Sequence, residues 1–187
     1  MVKKKLEGYG KTLTLFEDGT VECRGDPGYG GDARDKQSLL VDVEDIAWTG
    51  AGGCAARKRD GTVVTWGHPE YGGDAGPKEA QLTDVVSLVG NRGAFAATKG
   101  DGSVICWGHR DSGGEPGSEV DLTDVVSVTP NWYAFAAKKR DGSVIAWGDP
   151  KYGGNTGPKQ SKLTDVEYLA ATDYAFAVKK FDGTVVC

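Results

Sequence analysis

The sequence predicts an all-β fold of about five three-stranded antiparallel units, each drawn from a repeat of about 41 residues. Three observations carry this. The string Asp-Gly-Thr/Ser-Val recurs at Asp18, Asp60, Asp101, Asp141 and Asp182, with spacings of 42, 41, 40 and 41 residues. Each recurrence lies between two short apolar runs of strand length. Glycine supplies 29 of the 187 residues, and most of it falls at fixed places in the repeat. The units read as residues 1–39, 40–81, 82–121, 122–162 and 163–187 of one repeat domain.

Within a unit the elements follow in order. Val-Val-Ser-Leu-Val at 85–89 is β-branched and apolar and reads as a first strand. Ala-Phe-Ala-Ala-Thr-Lys at 94–99 reads as a second, and Ser-Val-Ile-Cys-Trp at 103–107 as a third. The Asp-Gly between the second and third predicts a tight hairpin in which both residues tolerate positive φ. About 15 residues rich in glycine, proline and polar groups then lead to the next unit, among them His-Pro-Glu-Tyr-Gly-Gly-Asp at 68–74 and Asp-Pro-Lys-Tyr-Gly-Gly-Asn at 149–155. They carry neither a strand nor a helix period and read as irregular crossing loops. Trp66, Trp107 and Trp147 recur in register, as do Phe95, Phe135 and Phe176, and aromatic residues so placed are expected in the packing between units.

Sheets this small bury both faces only by stacking on one another, radially as a propeller or linearly as a solenoid. The radial arrangement, a β-propeller, accounts best for the repeat. The terminal units differ from the rest: Arg24 stands where the others carry tryptophan, and the last unit stops one residue before that position. A closed ring, an open arc and a section of a larger propeller all fit this pattern.

The run Leu-x-Asp-Val…Ala-Phe-Ala-x-Lys-x-x-Asp-Gly-Ser-Val-x-x-Trp-Gly resembles the repeats of the regulator of chromosome condensation family, over essentially the whole chain. The compact period is closer to the secreted propeller that inhibits β-lactamases, of the same repeat superfamily. Two departures stand out. Tyr-Gly-Gly-Asp replaces the Gly-Gln-Leu-Gly-like segment usual after Trp-Gly, and there are five repeats where seven are common. The resemblance implies a β-propeller that serves as a protein-binding scaffold. It carries over no nucleotide-exchange activity, because no segment matches one.

Composition narrows the function further. The formal charge is −5, from 22 basic and 27 acidic residues, which disfavours a nucleic-acid partner. No apolar run approaches the roughly 20 residues of a membrane helix, and Met1–Leu6 turns polar too soon for a secretion signal. Cys23, Cys106 and Cys187 share one repeat position on third strands, and equivalent positions on different sheets lie too far apart for a disulfide. Together with Cys54, which takes a phenylalanine position, they read as free thiols, favouring a reducing intracellular compartment. No nucleophile–base pair and no paired carboxylates emerge, and Gly8–Thr12 lacks the first glycine and the helix of a phosphate loop. The expectation is a non-enzyme without a cofactor. His68 and His109 share one repeat position, but no third ligand of suitable type accompanies them, so no metal is expected.

The residues that escape the repeat are the candidates for function. The turn between first and second strands reads Gly-Asn-Arg-Gly at 90–93, Pro-Asn-Trp-Tyr at 130–133 and Ala-Thr-Asp-Tyr at 171–174. Arg92, Asn131, Trp132, Tyr133, Asp173 and Tyr174 are therefore the expected partner-binding residues, since protein hot spots are enriched in Trp, Tyr and Arg. Trp48 and Tyr9 are weaker members of the set. The competing reading makes these residues partly buried loop anchors. At the opposite end the Asp-Gly hairpins carry a basic rim (Arg57, Lys58, Arg59, Lys99, Lys138, Lys139, Arg140, Lys179 and Lys180), either a solvated edge or a contact for an anionic surface. A carbohydrate-binding alternative uses Tyr29, Tyr71 and Tyr152 with Asp32, Asp74 and Asn155, each pair holding one sugar.

Overall fold

The computed structural model describes residues 1–187 apart from the side chain of Pro158. Five three-stranded antiparallel sheets follow one another along the chain. They are β1 (Val2–Gly8), β2 (Lys11–Phe16) and β3 (Val21–Gly25); β4 (Val43–Trp48), β5 (Gly53–Lys58) and β6 (Val63–Gly67); β7 (Val85–Gly90), β8 (Ala94–Lys99) and β9 (Val104–Gly108); β10 (Val125–Pro130), β11 (Ala134–Lys139) and β12 (Val144–Gly148); and β13 (Val166–Ala171), β14 (Phe176–Lys180) and β15 (Val185–Val186). Every sheet is a meander with its second strand central. The propeller arrangement expected from the repeat is the one observed.

The hydrophobic cores lie between sheets, so each is built half from one unit and half from the next. Ala94, Ala96, Val104 and Cys106 of the third sheet pack against Val125, Phe135, Ala137 and Trp147 of the fourth. The preceding joint sets Ala47, Ala55 and Val63 against Val85, Phe95, Ala97 and Trp107. In these two joints small residues face forward and large ones backward. Two of the indoles stack on the phenylalanine paired with them across the ladder, Phe95 on Trp107 at 5.1 Å and Phe135 on Trp147 at 5.5 Å between ring centroids, while Trp66 faces Cys54. Each Nε1–H donates back to the crossing loop of the unit before it: Trp66 to Gly30 O and Trp107 to Gly72 O at 3.0 Å, Trp147 to Gly113 O at 3.2 Å. Truncating such a side chain costs about 3–5 kcal/mol.

The crossing loops are more regular than their sequence predicts. They contain 3-10 helices, a short one at Pro27–Tyr29, Pro69–Tyr71, Arg110–Ser112 and Pro150–Tyr152, and a longer one at Arg34–Leu39, Gly76–Gln81 and Gly157–Lys162. Runs of three to six residues with i→i+3 bonds leave no amphipathic period to read. The Gly-Gly pair follows the short helix and is needed for two separate reasons. Gly72 caps it at φ +90, while a Cβ on Gly73 would collide with the Gly67 carbonyl.

The Asp-Gly hairpins also differ from expectation. Only the glycine takes positive φ, as at Gly61 (φ +81), and the loop has three residues, closed by Lys58 N–H to Thr62 O. The aspartate instead accepts hydrogen bonds from the residue two places on; Asp60 takes both the N–H and the hydroxyl of Thr62. Gly61 O then accepts from Val85 N–H of the next sheet, and the bond recurs from Gly19, Gly102 and Gly142 to Val43, Val125 and Val166. One end of each joint is strapped in this way.

The fifth sheet's forward face is uncovered. Val185 is 61% exposed, whereas Val104 at the same repeat position is 6% exposed. The rear of the first sheet is polar, with Lys5 paired to Glu7 and Arg24 to Glu22. The first and fifth sheets therefore do not seal a ring through a packed joint.

Candidate protein-binding face

The turns between first and second strands gather at the end of the molecule opposite the Asp-Gly hairpins. Their backbones are joined in series: Gly50 N–H donates to Asn91 O, Arg92 N–H to Trp132 O, and Trp132 N–H to Asp173 O. Residues from all five turns, Tyr9, Gly50, Arg92, Trp132 and Asp173 among them, line one cavity of about 320 Å³.

Asn131 lies inside this construction rather than on its surface. It is buried; its Oδ1 accepts from Tyr133 N–H at 3.1 Å and Ala134 N–H at 2.8 Å, and its Nδ2 donates to Tyr152 O at 2.6 Å. Asn91 makes the same three bonds, to Gly93, Ala94 and Ser112, and Thr49 donates to Tyr71 O. The residue at this position ties the turn to the crossing loop of its own unit. Asn131 thus orients its neighbours, its oxygen accepting twice and its nitrogen donating to the crossing loop.

The neighbours so oriented form a closed circuit of rings. The Arg92 guanidinium sits 5.8 Å from the Trp132 ring and 5.6 Å from the Tyr133 ring. Trp132 lies 5.5 Å from Tyr174, Tyr174 lies 5.7 Å from Tyr152, and Tyr152 lies 4.5 Å from Tyr133. Trp132 is 37% and Tyr174 57% exposed, and Arg92 is exposed too. Cation–π and offset aromatic contacts of this kind contribute about 0.5–1.5 kcal/mol each. They hold large apolar rings at the surface in fixed positions. Tyr152 belongs to the circuit although its sequence position suggests a separate sugar pocket. The signal for it lies in the fourth unit alone, where a tyrosine stands both in the turn and in the crossing loop; the third unit has Gly93 and Ser112 there.

At the other margin of the cavity Tyr9 meets Trp48 edge-on at 6.2 Å, and the Lys11 ammonium lies 5.1 Å from the Trp48 ring. Lys11 is buried, donating to Thr49 O and Gly53 O, and loss of hydration lowers its pKa. Burial raises the nearby Cys54 thiol to about 11, and those of Cys23 and Cys106 to about 12. All four cysteines are free.

The other expected sites look different in three dimensions. His68 and His109 flank the Tyr71 ring at 4.7 and 5.6 Å, and no group of three metal-ligating side chains occurs among the described residues. Asp32, Asp74 and Asn155 accept from the N–H of Arg34, Gly76 and Gly157, so the polar half of each sugar pocket is engaged in a turn. The basic rim is interleaved with acids: Lys139 reaches Asp121 at 2.5 Å and Lys179 reaches Glu167 at 2.7 Å. Along the same end Lys4 pairs with Asp45 at 2.6 Å. Such pairing suits a solvated edge.

The stacked three-stranded sheets, the indole-bearing joints and the joined turns define an all-β propeller arrangement. Known structures share that fold. Human WBSCR16 superposes with a TM-score of 0.59 at 20% identity, covering 81% of this chain and 48% of that one. The ectodomain of the Physcomitrella patens receptor kinase CR4 gives 0.53 at 18% identity, covering 79% and 39%. The computationally designed Ika8 protein gives 0.51 at 16% identity, covering 98% and 57%. The chain spans about half the length of these structures. No family model matches the sequence, and no curated protein does.

Proposed function

We propose that this chain is a non-enzymatic scaffold, an accessory subunit of a larger assembly, that binds a partner protein through the face bearing the first-to-second-strand turns. The observation that supports it is the circuit of Arg92, Trp132, Tyr133, Tyr152 and Tyr174. Its rings come from consecutive units, lie outside the cores between sheets, and are held half-exposed by mutual contact and by the buried Asn131. Rigid aromatic residues beside an arginine lose little side-chain entropy on association, which is why hot spots favour them. The partner's contribution is a protein surface that covers Trp132 and Tyr174 and places an acceptor over Arg92.

A pull-down followed by titration of the captured partner tests this. The double variant Trp132→Ala/Tyr174→Ala is expected to weaken binding by about 2–4 kcal/mol, roughly 30-fold to 1,000-fold. Its melting temperature should stay close to that of the parent protein. Unchanged affinity for every captured protein refutes the assignment.

A further inference from the structure

The third crossing loop departs from the other three in a way that opens a cleft beside the fourth sheet. The Asp-Gly spacing across it is 40 residues, where the second and fourth loops give 41, and it lacks the longer 3-10 helix of the first, second and fourth. In each of those helices a lysine stands four residues after the residue that follows Gly-Gly: Lys36 after Asp32, Lys78 after Asp74 and Lys159 after Asn155. The same count from Glu115 reaches Glu119. The third loop thus carries a carboxylate where the others carry an ammonium.

The joint between the second and third sheets shows what that lysine does. Lys78 Nζ donates to Cys106 O at 2.5 Å and to Gly114 O at 3.1 Å, closing the loop against the outer strand of the next sheet. Lys36 takes the same place at the preceding joint, in a cleft of about 190 Å³ that it lines with Thr65 and Gly73, the residues equivalent to Cys106 and Gly114. Between the third and fourth sheets the equivalent residues are Ala146 and Gly154. The ladder there has the same register, Ala136↔Ala146 against Ala96↔Cys106, so Ala146 O points outward as Cys106 O does. Both residues line a cleft of about 660 Å³, and among the described residues no side chain donates to either carbonyl.

Five carboxylates line this cleft, those of Asp111, Glu115, Glu119, Asp121 and Asp149, against the single guanidinium of Arg110. Asp121 is paired with Lys139 and Asp149 accepts from Lys151 N–H, whereas Asp111, Glu115 and Glu119 are exposed and carry no ion pair among the described residues. Pro116, Val120 and Ile145 supply partly buried apolar surface beside them. An ammonium on an alkyl stem suits both halves of such a site: oxygens accept its three N–H groups and the stem lies along the apolar wall. The carboxylates alone would leave the ligand open; the two preceding joints identify it, since each places a lysine at this position. We propose that the cleft binds a lysine side chain on a basic segment of a partner protein, its ammonium seated between Ala146 O and Gly154 O and neutralised by Glu115 and Glu119. The site shares no residue with the turn face, so either proposal can fail without the other.

The test follows the backbone amide NMR signals of the protein of residues 1–187 while acetyl-Gly-Pro-Lys-amide, which copies residues 76–78, is added. Saturable shifts of the Ala146, Trp147 and Gly154 signals are expected. Acetylating the lysine Nζ of the peptide removes its charge and should abolish saturation. The double variant Glu115→Gln/Glu119→Gln should weaken binding about fivefold. Glu119→Lys, which gives the loop the group found at the other joints, should weaken it about tenfold or more. Both glutamates are exposed, so each variant should keep the Tm of the parent protein. Raising salt from about 0.01 M to about 1 M should weaken binding by the parent protein about tenfold. Absence of saturable shifts with the lysine peptide overturns the proposal, as does equal binding by the acetylated peptide or by either variant. Shifts confined to Arg92, Trp132 and Asp173 overturn it too, by placing the lysine on the turn face. Tighter saturation by calcium chloride than by the peptide overturns it in favour of a metal ion, and a dimer in sedimentation that the peptide dissociates does so in favour of a second copy.

Discussion

Alanine at the cap glycines converts the difference in room beside three phenylalanine rings into a measurable stability gradient. Gly72, Gly113 and Gly153 occupy one repeat position with φ of +90, +90 and +80. An alanine there carries the same backbone strain at each, about 1–2 kcal/mol. The space available differs. The added Cβ would lie 2.6 Å from Phe95 Cδ2 at Gly72, 2.9 Å from Phe135 Cδ2 at Gly113, and 3.1 Å from Phe176 Cδ2 at Gly153. In the first two joints the ring cannot retreat, because an indole lies stacked against it; overpacking adds about 1–3 kcal/mol. In the third the ring has room to move. Gly72→Ala should therefore cost about 3 kcal/mol and Gly153→Ala about 1.5 kcal/mol, with Gly113→Ala between. For a chain of this size each kcal/mol lowers Tm by about 2–4 °C, so drops of about 10 °C and about 5 °C should separate cleanly by calorimetry. Gly76→Ala is the control, with φ +53 and no atom within 4 Å of the new Cβ, and should show strain alone. Equal drops at Gly72 and Gly153, or the reverse order, would refute the reasoning.

Two other outcomes follow from the bonding. Asn131→Ala strands the buried N–H groups of Tyr133 and Ala134 and the carbonyl of Tyr152, and should cost about 2–3 kcal/mol in chemical denaturation while loosening the Tyr133–Tyr152 contact. Asp101 and Asp141 are held below their ordinary value of 3.8, first by the hydroxyls of Ser103 and Ser143 and then by the same residues' N–H groups. Depressed folded values mean stability present above 3.8 and lost as pH falls through the lowered pKa. Asp101→Asn/Asp141→Asn should flatten that acid limb in Tm measured against pH.

Whatever the repeat states more than once is legible in the sequence. Trp66, Trp107 and Trp147 announce the joints because three copies in register have no local explanation other than shared packing. The Asp-Gly strings place the hairpins correctly, but the two-residue pattern hides a three-residue loop whose glycine carbonyl is held by the next sheet's Val N–H. Asn131 misleads for the opposite reason. It sits between Pro130 and Trp132, which do vary, while its counterpart Asn91 marks it as part of the frame. Tyr152 escapes a reading of the sequence because a single bond, Asn131 Nδ2 to Tyr152 O, bridges 21 residues of chain. The 3-10 helices are too short to carry a period. Burial of Lys11 has no sequence signal, since the turn carbonyls that receive it belong to the next unit.

The building of each joint from the faces of two successive sheets bears on how such a chain can change length. Every joint takes half its side chains from one unit and half from the successor, and its loop glycine from the unit before. Duplicating or deleting a whole period of about 41 residues therefore adds or removes one complete interface and leaves the other interfaces with their own partners. A cut at any other phase splits a half-interface from its complement. Inheritance in this architecture is by the period, and its size can drift in whole steps without any of the existing contacts being redesigned.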